Sequence, residues 1–114
     1  MERNTSATTC LLSTRRAKEN INPLNVGLEE LLKLKPVSYT AKGDKKEHIG
    51  LIAEDVFEVE PRLVVLDEGG LPKTIHYEEL SALVIKAMQE QQKKIQELEQ
   101  RIEVLESKSK WWPW

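Results

Sequence analysis

Within Ser13-Thr14-Arg15-Arg16-Ala17-Lys18-Glu19-Asn20-Ile21 a hydroxyl and an amine stand five residues apart. A serine hydroxyl attacks a carbonyl poorly until a base takes its proton, and a neutral lysine amine can be that base. Free lysine, with a pKa of about 10.4, is neutral in only about one molecule in a few thousand at pH 7. Burial lowers such a pKa by up to about 3–5 units, so a Ser13–Lys18 dyad requires desolvation. The spacing suits neither regular element. On a helix the two side chains point about 140° apart, and on a strand they face opposite sides. The pair therefore needs a turn between its members, or a neighbouring subunit. By spacing alone, a Ser and a Lys in a polar, basic segment more often mark solvated surface.

The other candidates are supporting ones. Arg15 and Arg16 either stabilise an oxyanion or sit at the surface, and Asn20 can donate a hydrogen bond to an intermediate. His48 and His76 read first as structural residues and second as aids to proton transfer near Ser13. Cys10 stands alone, so no intrachain disulfide forms; as a thiol nucleophile served by a histidine it lacks a cysteine-protease context. Glu54, Asp55, Glu58 and Glu60 read as a solvated helix face, because no His or Cys joins them at ligand spacing. No metal site, cofactor or glycine-rich phosphate loop is expected.

The elements that must position these residues come from a short chain. At 114 residues it is one small domain with little core, and 32% charged against 5% aromatic residues suits a helix-rich oligomer. A net charge of −2 gives no pull toward nucleic acid or anionic membrane. No apolar run approaches the roughly 20 residues of a membrane span, and the polar start carries no secretory signal. Residues 1–12 read as an irregular or strand-like approach ending in Leu11-Leu12. Asn22 to Gly27 punctuates a connection. Leu28, Leu31, Leu32 and Leu34 fit a short amphipathic helix stopped by Pro36. Val37 to Thr40 alternates as a strand, and a charged loop turns on Gly43-Asp44. The segment from His48 begins as a strand and continues as a helix with Ile52, Val56 and Val59 on one side. Leu63 to Leu66, the turn Asp67 to Gly70 and the strand Lys73 to Tyr77 complete one small antiparallel sheet.

From Tyr77 to about Ser107 there is no Gly or Pro, so a long helix is expected. Setting Ser81, Met88, Ile95 and Ile102 at heptad position a places Val84, Gln91, Leu98 and Leu105 at d. Lys94 and Arg101 then fall at g, with Glu99 and Glu106 at e, the arrangement for interhelical ion pairs. Leu80, Leu83, Val84 and Ala87 are expected to pack on the chain's own domain. Beyond Met88 the apolar stripe has no domain left to cover and calls for other copies. Ile at a with Leu at d leans toward two strands, and Gln91 sets register. Trp111, Trp112 and Trp114 form either an unstructured tail or one that docks on the stalk or a partner.

The segment from Ser13 to Ile21 resembles the Ser-Asp-x-Arg-x-Lys-x-Asn-Ile signature of the self-cleaving intramolecular chaperone domain of phage tail spikes and fibres, the endosialidase type. Ser13, Arg16, Lys18, Asn20 and Ile21 fall on its positions, and Thr14 replaces the usual Asp. Leu34-Lys35-Pro36-Val37-Ser38-Tyr39, Gly50 to Val56, Pro61-Arg62-Leu63-Val64 and Tyr77 at the head of a long helix are similar to its later blocks.

The resemblance implies catalytic Ser13 and Lys18, a scissile bond between Leu12 and Ser13, and a homotrimer with the seam Val84, Met88, Gln91, Ile95, Leu98, Ile102 and Leu105. The expected partner is the upstream fibre segment of the same polypeptide. The expected setting is the host cytoplasm during virion assembly, with release after cleavage. The division expected is 1–12 fibre end, 13–76 α+β portion, 77–107 coiled coil and 108–114 tail. Two readings compete with this one: a non-cleaving trimerisation or attachment module, and a membrane-tethered transcription factor using the same module, for which no flanking sequence is visible.

Overall fold

The computed structural model describes residues 12–110. Cys10 and the tryptophans of the tail lie outside the described residues, as does most of the expected fibre end. The elements run as a 3-10 turn (Arg15–Ala17), helix α1 (Leu28–Leu31), strands β1 (Val37–Thr40) and β2 (Glu47–Gly50) and helix α2 (Ala53–Val59). A second 3-10 turn (Pro61–Leu63), strands β3 (Val64–Leu66) and β4 (Pro72–Ile75) and the long helix α3 (Tyr77–Lys110) follow. The class is α+β, as the patterning implies.

The strands make two separate antiparallel hairpins rather than one sheet. In β3–β4, Val64 stands opposite Ile75 and both are buried, so this hairpin belongs to the core. In β1–β2, Tyr39 stands opposite His48 and Ser38 opposite Ile49, and Ile49 is 84% exposed. The apolar look of Ile49 therefore does not mark an interior strand. Each hairpin closes at a glycine with positive φ, Gly43 at 83° and Gly70 at 82°, a conformation that side chains with a Cβ resist. In the second turn the Asp67 carboxylate also accepts from the N–H groups of Gly69 and Leu71.

Val56, Leu63, Val64, Ile75 and Leu83 form the buried cluster, and Leu24, Val26, Leu31, Leu34 and Leu80 pack against it. Val56 and Leu83 are each 1% exposed, so α2 and α3 close the core from two sides. Ile52 caps α2 instead of sharing its buried side, and it is exposed. Helix α1 ends at Leu31, well before Pro36, because Lys33 and Leu34 donate to the carbonyls three residues back and tighten the chain into a turn. Strand β4 stops at Ile75, since the His76 carbonyl accepts from Leu80 and so begins α3.

Along α3, Leu83 and Ala87 are buried and Leu80 is half-buried, as expected of residues that cover the domain. Val84 does not join them. It lies about 100° further round the helix and is exposed. Every residue from Gln91 to Ser109 is exposed, so the second half of the helix, about 30 Å at 1.5 Å per residue, stands clear of its own domain.

Candidate functional site

The 3-10 turn supplies what the five-residue spacing lacks. Thr14 is extended, the Ala17 N–H donates to the Thr14 carbonyl at 3.0 Å and the Lys18 N–H to that of Arg15 at 3.3 Å, and Lys18 is extended again. The chain thus folds back on itself between the two extended residues. The Lys18 ammonium or amine Nζ lies 2.8 Å from Ser13 Oγ, within hydrogen-bond reach. Thr14, where the resembled signature has Asp, caps the turn by backbone position alone and makes no side-chain cap bond. Leu12, Ser13 and Lys18 are all exposed. The turn therefore creates contact but not dryness. A neutral amine and a charged tetrahedral intermediate both respond strongly to the exclusion of water, which the described residues do not provide.

The supporting candidates are placed by their own local structure. Arg16 sits in the turn and is exposed. Asn20 adopts a left-handed φ of 52°, and its carbonyl accepts from the Asn22 side-chain amide. His48 shares a 3.1 Å hydrogen bond with Asp44 across the hairpin loop, and its ring centroid is 5.6 Å from that of Tyr39. That bond, followed by one from the Lys46 N–H, holds the Asp44 carboxyl below its ordinary value. His76 works through its backbone, donating to the Leu63 carbonyl at 2.8 Å and capping α3. Among the described residues, none of these four hydrogen-bonds to Ser13 or Lys18.

The acidic residues of α2 divide. Glu54, Asp55 and Glu58 are exposed, but Glu60 is only 8% exposed and leaves the solvated face the sequence suggests. Its carboxylate accepts from Arg62 through the backbone N–H, Nε and the terminal guanidinium, the last at 2.7 Å. Arg62 also donates to Asn25 Oδ1 at 3.0 Å, which ties the linker after the turn to the core. Glu60 ahead of Pro61 was a legible cap signal, since proline favours the first position of a helical turn. A further tie escapes the sequence. Glu90 reaches back from α3 to accept from the Leu28 N–H at 3.3 Å, at a place where a Cβ on Gly27 would collide with Glu90 Oε1. No helix among the described residues is long and apolar enough to cross a membrane. Among them, too, no three His, Cys, Asp or Glu side chains come together as metal ligands.

The comparison with curated proteins finds no match. Residues 13–65, from the serine that meets Lys18 to the middle of β3, match the model of the Peptidase_S74 family, described as the chaperone of endosialidase, and over this segment the chain is similar to that family.

Proposed function

We propose that the chain is the intramolecular chaperone of a phage tail spike or fibre, that it gathers three copies, templates the folding of the preceding segment and then cuts itself free between Leu12 and Ser13. The observation that carries this reading is the 2.8 Å contact between Lys18 Nζ and Ser13 Oγ in a segment of matching family. Lys18, once neutral, takes the Ser13 proton as Oγ bonds to the Leu12 carbonyl carbon. The C–N bond then breaks, the Ser13 nitrogen leaves with the proton that Lys18 returns, and an ester links Leu12 to Oγ. Water adds to that ester, leaving a Leu12 carboxylate and a free Ser13 with its hydroxyl and α-amine. The exposed apolar stripe of α3 supports assembly, and assembly is the step that dries the pair. The enzyme is spent in one turnover, in the host cytoplasm, and the chaperone departs from the finished virion.

The exposure of Ser13 and Lys18 favours a second reading, a non-cleaving trimerisation or attachment module. Expression of the protein with its upstream fibre separates the two. Cleavage yields a fragment beginning at Ser13, and Ser13→Ala or Lys18→Ala leaves the chain whole. Cutting that persists in both variants assigns the work to an outside protease, and a wild-type chain that stays intact supports the attachment module.

A further inference from the structure

The apolar stripe of α3 runs nearly to the end of the helix, where Ile102 and Leu105 are still exposed, at 52% and 64%. The chain's three tryptophans all follow within the next nine residues. An indole carries a large apolar area and one N–H, which suits the place where an apolar seam meets water. The period decides which indole lies there. Counted on from Ile102 at a and Leu105 at d, Ser109 takes a, Trp111 takes c on the outer side and Trp112 takes d. Pro113 disfavours helix in the residue before it, so Trp112 stands at the last position the heptad can reach, and Trp114 lies past it.

The charges beside the seam fix how copies line up. Lys94, Arg101 and Lys108 lie at g, and Glu99 and Glu106 at e. Parallel helices bring g of one copy to e of the next, basic to acidic, whereas antiparallel ones bring g to g and e to e, like to like. Parallel copies in register are therefore favoured, and Trp112 of one stands level with Trp112 of the others. The layer before it is built to receive a large ring. Ser109 is small, and its hydroxyl donates to the Glu106 carbonyl of its own helix at 2.8 Å, so it leaves room in the seam and no unpaired donor there.

Resting on the assembly proposed above, we propose that the heptad of α3 runs on into the tail and that the Trp112 indoles of the associated copies meet beneath Ser109 and Leu105, closing the C-terminal end of the bundle, with Trp111 turned outward to water. The plug covers the last aliphatic layer of the seam, which Leu105 otherwise leaves open.

Because tryptophan occurs only in the tail, its fluorescence reports on the tail alone. In the full chain, Trp111→Phe/Trp114→Phe keeps Trp112 and Trp112→Phe/Trp114→Phe keeps Trp111. The protein that keeps Trp112 is expected to emit to the blue of the one that keeps Trp111 and to be quenched several-fold less by acrylamide. Adding Ile95→Asp, to separate the copies, is expected to abolish both differences. An alanine inserted between Lys108 and Ser109 moves Trp111 to d and should pass the shielding from Trp112 to Trp111. Shielding of Trp111 equal to or greater than that of Trp112, without the insertion and in a protein that sediments as three chains, overturns the plug and leaves the assembly standing. Shielding of Trp112 that survives Ile95→Asp in a protein that sediments as one chain also overturns the plug, since the ring then packs on its own helix. A wild type that sediments as one chain overturns the assembly and the plug together.

Discussion

A carboxylate almost removed from water needs its charge met on the spot, and Arg62 meets that of Glu60 with three N–H donors. The Arg62 hydrogen bond is the main reason the Glu60 carboxyl is held below its ordinary value, against the opposing effect of burial. A carboxyl depressed in this way stabilises the fold above its unfolded value near 4.5. That stabilisation is lost as the pH falls through the lower, folded value. Glu60→Ala is therefore expected to cost about 2 kcal/mol at pH 7, the usual loss for hydrogen bonds to a charged group. Urea denaturation should show the gap to the wild type narrowing toward pH 3, and an equal gap at both pH values contradicts this account. Glu60 also shows what a sequence hides at this scale. Its neighbours Glu54, Asp55 and Glu58 are solvated as their pattern implies, but the Arg62 side chain that meets the Glu60 charge is itself held by Asn25, 37 residues away in the chain. Ser13 and Lys18 were the opposite case: a hydroxyl and an amine are legible as residue types, while their contact depends on a turn that no apolar periodicity announces.

At the scale of elements, α1 is too short to hold itself and is fixed by what caps it. The Glu30 carboxylate accepts from the Gly27 N–H at 2.9 Å, and Glu90 of α3 accepts from the Leu28 N–H. The first is a local pattern that a reader of the sequence can find three residues on; the second spans 62 residues and cannot be read that way. Gly27 is extended, so an alanine there is not strained by its backbone; it collides with the Glu90 carboxylate, which must swing away and give up its bond. Gly27→Ala and Glu90→Ala should each cost about 1 kcal/mol, the worth of one ordinary hydrogen bond. In the double variant the second substitution should add almost nothing, because both remove the same tie. Thermal melts of the four proteins give the cycle, and simple additivity means that Gly27 and Glu90 act separately. The strands were legible by alternation and the turns by Gly43 and Gly70. Their grouping into two hairpins was not, because the pattern cannot say that α2 and the Pro61 turn carry the chain away from β2 before β3 begins.

At the scale of the whole molecule, α3 serves two surfaces that lie about 100° apart on one cylinder. Leu80, Leu83 and Ala87 close the core, whereas Val84, Met88, Ile95, Leu98, Ile102 and Leu105 run along a face that the small domain leaves open. The heptad was legible because it depends only on period, and so was the division between the covered and uncovered halves of the helix. The two faces are separable by substitution. Leu83→Ala removes a fully buried side chain from a cluster of five, and such deletions cost about 2–5 kcal/mol, so the variant should melt far below the wild type. Ile95→Asp touches no residue of the core and places a charge on the seam, where association would have to desolvate it. On the proposed assembly it should sediment as one chain at concentrations where the wild type is expected to sediment as about three, with the small domain's tertiary signal intact and the helical signal of the free half reduced, since an isolated helix of about 20 residues is marginal in water. If Ile95→Asp assembles as the wild type does, the stripe is not the surface that joins the copies, and the drying of Ser13 and Lys18 must be sought elsewhere.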